Sequence, residues 1–158
     1  MASEVTRNER LILLSLCGRR YDTKFYSYDN SEVIKGVHRC GAVDYVTEMP
    51  KVFACSKINI NPSLRIIQTG IPQRAFDIMG AGGFLLSNYQ AELAEYYVNE
   101  EDMVIYEGIE DAIDKMAFYL GHEDIRAKIA QNGRAKTLEF HTMQGRVETI
   151  FKTVGIYK

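Results

Sequence analysis

Short apolar runs alternate along this chain with longer segments of helical spacing, and that alternation constrains the fold more than any other feature. Residues 24–28, 42–46, 57–60, 84–87 and 103–106 read as strands, rich in β-branched, aromatic and aliphatic side chains. Helical segments fill the intervals. The first covers residues 4–16, with Ser3 as its cap and Gly18 as its stop. Asn30 or Ser31 can cap a short helix toward Cys40, and Glu48-Met49-Pro50 opens another. Asn61-Pro62 starts a helix that Gly70 ends, and Ile71-Pro72 restarts one through Met79. Residues 90–97 read as a further helix. Ile109, Ala112, Ile113, Met116, Ala117 and Leu120 form the stripe of the next, stopped by Gly121. Ile125, Ile129 and Leu138 mark its successor, with Gly133 inside it or at a break. Thr142 caps the last helix, whose stripe is Met143, Val147, Ile150, Phe151 and Val154. Read as core faces, these stripes belong to an α/β fold, a three-layer, Rossmann-like parallel sheet flanked by helices.

The 158 residues suffice for one domain with a sizeable core and are too few for two of typical size. Nineteen Lys and Arg stand against 21 Asp and Glu, a net charge of −2 that provides no general nucleic-acid footprint. No apolar run reaches the ~18 residues of a membrane span, and the early apolar stretch lacks the features of a signal peptide. Cys17, Cys40 and Cys55 form no C-x-x-C pair, and His38, His122 and His141 have no metal-ligand spacing. Unpaired thiols fit a reducing cytoplasm, and no metal or cofactor is expected.

Chemistry concentrates in residues 59–89. Arg65, Gln68, Thr69, Gln73, Arg74 and Asp77 gather around two helix starts and a glycine-rich bend. Arg74 and Asp77, three apart, share a helix face. A helix N-terminus and an Arg fork suit phosphate oxygens, while an Asp carboxylate matches a ribose diol. An exposed ion pair between Arg74 and Asp77 is the competing reading. Gly80-Ala81-Gly82-Gly83 fails the dinucleotide pattern, because its sixth place is Leu85 and the order runs from helix into strand. These glycines read as a helix stop that allows a ligand close to the backbone.

The run DIMGAGGFLL, residues 77–86, resembles the E-A-M-A-C-G-x-P-V-V signature of the nucleotide-sugar half of GT-B glycosyltransferases. Further pieces resemble the CgeB-like, spore-maturation-type branch: SKININ at 56–61, GIPQRAFD at 70–77, FYLGH at 118–122 and RAKIAQNG at 126–133, followed by His141, Thr142 and Arg146. The likeness spans residues 5–152. It implies a C-terminal GT-B domain, residues 1–158, that binds a nucleotide diphosphate sugar and passes the sugar to an acceptor. Asp77 falls where the family's Glu accepts hydrogen bonds from the donor ribose. Thr69 falls where the related E-x7-E pattern has its first acid. The implied donor-binding set is Asn59, Arg65, Thr69, Gly70, Arg74, Asp77, Gly80, Gly82 and Gly83, with Arg65 and Arg74 placed to neutralise the leaving diphosphate. No catalytic base is assigned, since GT-B enzymes place it in an N-terminal acceptor domain that this chain does not contain. That missing domain is the implied partner. A non-catalytic interaction module on the same fold is the alternative.

Overall fold

A computed structural model describes residues 2–28, 34–63 and 70–155, with side chains from residue 9 onward. The order is α1 (Ala2–Arg20), β1 (Thr23–Tyr26), β2 (Val37–Gly41), α2 (Met49–Cys55), β3 (Asn59–Asn61), α3 (Gln73–Gly80), β4 (Leu85–Asn88), α4 (Ala91–Tyr96), β5 (Val104–Tyr106), α5 (Ile109–Gly121), α6 (Glu123–Phe140) and α7 (Met143–Thr153). Every ladder among the described residues is parallel. β1 pairs with β2, and β3, β4 and β5 form a second sheet in that order.

The side-chain period of two on β4 and β5 creates the three layers. Leu86, Val104 and Tyr106 face α1, α5 and α6, where Leu13, Cys17, Ile113, Met116, Tyr119 and Ile129 complete one core. Leu85 and Ile105 face the other way, joining Phe53, Ala75, Ile78, Met79, Leu93 and Tyr97. Both faces of β4 are therefore buried, as a central parallel strand requires.

Several sequence expectations shift. The second strand is residues 37–41, not 42–46, so the described residues leading to Cys40 are turn and strand, and the helix start expected at Asn30 or Ser31 lies outside the described residues. Val37 pairs with Thr23 and Arg39 with Phe25, so cross-strand pairing claims this stretch. Residues 44–48 turn instead: the Asp44 carboxylate accepts from the N–H groups of Val46 and Thr47 at 3.1 and 2.7 Å. α1 passes through Gly18 to Arg20, because Gly18 packs on Gly36, whose backbone would lie 2.7 Å from an added Cβ. Asn61 ends β3, and most of the helix expected after it falls at residues 64–69, outside the described residues.

The helical stripes also divide. α5 buries Ala112, Ile113, Met116 and Tyr119. α6 turns Arg126, Ile129, Gly133 and Thr137 inward, leaving Ile125 and Leu138 exposed. It packs a narrow, small-residue face against α3, with Gly133 beside Met79. α7, capped as expected by the Thr142 hydroxyl on the Gly145 N–H at 3.1 Å, buries none of its residues. Met143 is 68% and Ile150 57% exposed. Periodicity marks an apolar face but not whether anything covers it.

The three thiols have unequal surroundings. Cys17 is buried 3.7 Å from the Met116 sulfur, and burial pushes its thiol up to about 11. Cys40 and Cys55 are exposed. At mildly alkaline pH a thiol reagent should therefore label two cysteines in the native protein and the third only on unfolding. Prompt labelling of all three would contradict the packing of α1.

Candidate functional site

In parallel sheets the loops leaving the carboxyl ends of the strands gather on one edge, where ligands bind in α/β folds. Here that edge carries a buried polar network. The Asn61 side-chain amide donates to the Ser87 hydroxyl at 3.2 Å, and Ser87 donates to the Asn61 carbonyl at 3.1 Å. Asn88 then clamps the segment after β3. Its Oδ1 accepts from the Ser63 N–H at 2.7 Å, and its Nδ2 donates to the Ser63 carbonyl at 3.3 Å.

The same edge opens into a cleft of about 680 Å3 lined by Ser63, Asn88, Tyr89, residues 106–111 and the α1 side chains of Glu9, Arg10 and Leu13. Lys115 braces its β5 side, donating to the Ile105 carbonyl at 2.6 Å and to Asp111 at 2.9 Å. Burial works against ionisation of Asp111, but Lys115 and the Glu107 N–H outweigh it and hold the carboxyl below its ordinary range. The Gln90 side-chain oxygen, just past β4, is buried with no hydrogen-bond partner among the described residues.

On α3, Asp77 does not pair with Arg74. Its carboxylate accepts a 2.6 Å hydrogen bond from the Tyr45 hydroxyl, contributed by the turn after β2. Partial burial, this bond and the Asp77 charge push the Tyr45 phenol up to about 12, with Arg74 acting in the opposite sense. Tyr45 therefore remains a donor at neutral pH, and it lies within the field of both α3 residues. Sequence reasoning passed over Tyr45 because it sits 32 positions from Asp77.

The remaining expected site residues separate. Arg65 and Thr69 lie outside the described residues. Gly70 adopts φ +94° and its N–H donates to the Glu92 carboxylate. Gly80 closes α3. Asn59, Gly82 and Gly83 lie at the amino ends of β3 and β4, away from the carboxyl edge. There the close approach expected of a ligand is made by the protein itself. A Cβ on Gly83 would meet the Asn59 amide and the Phe53 carbonyl at 2.7 Å. Asn59 spends its amide on the Phe53 and Phe84 carbonyls, at 3.0 and 3.3 Å. His141 and Arg146 are equally committed to packing. His141 contacts Phe76, Tyr96 and Tyr97, and the Arg146 guanidinium lies 4.3 Å from the Phe76 ring centre. Burial, followed by the Arg146 and Lys136 charges, holds the His141 imidazole below its ordinary range.

Parallel strands flanked by helices, with a cleft at their carboxyl edge, define a Rossmann-like α/β domain, and solved structures of glycosyltransferase-type proteins share this fold. Sucrose-phosphate synthase (tll1590) from Thermosynechococcus elongatus superimposes on 95% of the chain with a TM-score of 0.74 at 11% identity. TarM covers 92% with a TM-score of 0.70 at 13% identity. The C-terminal domain of the glycosyl transferase group 1 family protein LpcC from Francisella tularensis covers 70%, with a TM-score of 0.57 at 19% identity. The chain spans 43%, 31% and 56% of those three chains, respectively. No curated protein matches it in sequence. The profile of the glycosyl transferase-like family matches residues 3–152, and the chain belongs to that family.

Proposed function

We propose that this chain is the donor-binding domain of a CgeB-like glycosyltransferase that uses a nucleotide diphosphate sugar. The observation that carries this reading is the Tyr45–Asp77 hydrogen bond, which holds a carboxylate on α3 beside Arg74. The carboxylate accepts from the ribose hydroxyls, Tyr45 orients it, and Arg74 offsets charge on the diphosphate as the glycosidic bond breaks. Arg65 shares that last role. Shortening the family's Glu to Asp draws the carboxylate back by one methylene, and the Tyr45 contact fixes its direction in compensation. A second domain supplies the acceptor site and any general base, so the isolated chain binds donor weakly and does not turn over.

Calorimetric titration with UDP, GDP and their sugars tests the reading. Saturable binding of at least one is expected. Heats equal to dilution for all of them would sink it. The exposed apolar side of α7 favours one other reading, a non-catalytic interaction module. That reading gains if the chain joined to its partner domain binds no nucleotide.

A further inference from the structure

The end of the sheet opposite the carboxyl edge holds a second cleft, of about 430 Å3, at the amino ends of β3 and β4. Lys57, Arg126 and Arg134 line it with Glu123 as the one acid, leaving a local formal charge of +2 from three cations and one carboxylate. None of the three cations forms an ion pair among the described residues.

Both guanidinium groups are anchored by main-chain carbonyls. Arg126, only 7% exposed, donates through Nη1 to the Tyr119 carbonyl. Arg134 donates through Nε to the Gly80 carbonyl at 3.2 Å. Its chain crosses Gly82, where a Cβ would stand 3.4 Å from Cδ, so the absence of a side chain at Gly82 leaves room for the arginine. A guanidinium carries five N–H donors. Each of these two uses one on the protein, and no other protein partner engages the rest among the described residues. Burying a cation without a counter-charge is unfavourable, and an anion in the cleft removes that penalty. Planar, pre-positioned forks suit phosphate oxygens in particular.

We propose that this cleft is a binding site for a small phosphate-bearing anion, separate from the donor site. Lys57 and Arg134 contact the phosphate at the rim and Arg126 supplies charge from the floor.

The test is a titration of the folded chain with inorganic phosphate and with pyrophosphate at constant ionic strength, read by calorimetry and by 31P line broadening. Saturable binding is expected for at least one probe. Lys57→Ala removes an exposed side chain that makes no hydrogen bond among the described residues, and should weaken binding about tenfold without changing thermal stability. Arg134→Gln should do likewise, and Arg74→Gln, which removes the cation assigned to the donor diphosphate, reports any binding of the probe at the donor site. Non-saturating heats for both probes, or equal affinity in wild type and Lys57→Ala, overturn the proposal. Loss of binding in Arg74→Gln with retention in Lys57→Ala also overturns it, by assigning the anion to the donor site.

Discussion

Gly133→Ala should lower stability by about 2 kcal/mol, although the same exchange at an unobstructed helix position raises it by about 0.5–1 kcal/mol. Gly133 lies inside α6, where alanine is the better helix former. The Asp102 carbonyl oxygen, however, stands well inside contact distance of the position a Cβ would take, and the Met79 sulfur stands 3.3 Å away. The sulfur can move, being the soft part of a flexible side chain. The carbonyl cannot move freely. Its residue closes the turn before β5 through an N–H bond to the Val98 carbonyl at 2.9 Å, and its carboxylate pairs with Lys136 at 2.8 Å. Relief therefore requires α6 to lift away from that turn and from α3, loosening the Tyr97–Thr137 hydrogen bond of 2.8 Å as well. For a domain of this size the loss corresponds to a fall of about 4–8 °C in melting temperature. Gly121→Ala is the control, since nothing lies within 4 Å of its Cβ position. A denaturation midpoint for Gly133→Ala equal to or above wild type would refute the packing of α6.

Asp77→Ala should weaken binding of a nucleotide diphosphate sugar by about 10- to 100-fold, the range for losing hydrogen bonds to a charged group. The reading behind this figure gives the carboxylate to the ribose hydroxyls and the phenol of Tyr45 to the carboxylate. Tyr45→Phe should therefore weaken the same donor by a smaller factor, because the carboxylate remains but loses its orienting bond. Tyr45 is exposed in the turn after β2 and Asp77 only half-buried on α3, so the two variants should melt within about 2 °C of wild type. Calorimetry on the three proteins checks the order. Equal donor affinity in wild type and Asp77→Ala would remove Asp77 from the site.

The segments legible in the sequence share a local cause. Pro72 and the glycines after Met79 bound α3, Thr142 caps α7, and the unbroken run Phe84-Leu85-Leu86 next to the glycines reads as a buried strand. β2 was misplaced because its residues alternate weakly and owe their conformation to pairing with β1. The inward face of α6 was misread because it is built from Arg126, Gly133 and Thr137, which hydropathy does not mark. Within the candidate site, Arg74 and Asp77 were legible as two residues on one helix face, while Tyr45 was not, since its partner is distant along the chain.

The chain by itself determined the α/β class, the parallel sense of the strands and the family, because these depend on the period of apolar residues and on local sequence motifs. The tertiary structure alone decided which glycines face protein and which stand open, which apolar stripes are covered, and that Asp77 bonds to Tyr45 and not to Arg74. Such contacts depend on the separation of groups in space, and hydrophobic periodicity carries no information about what stands across the gap.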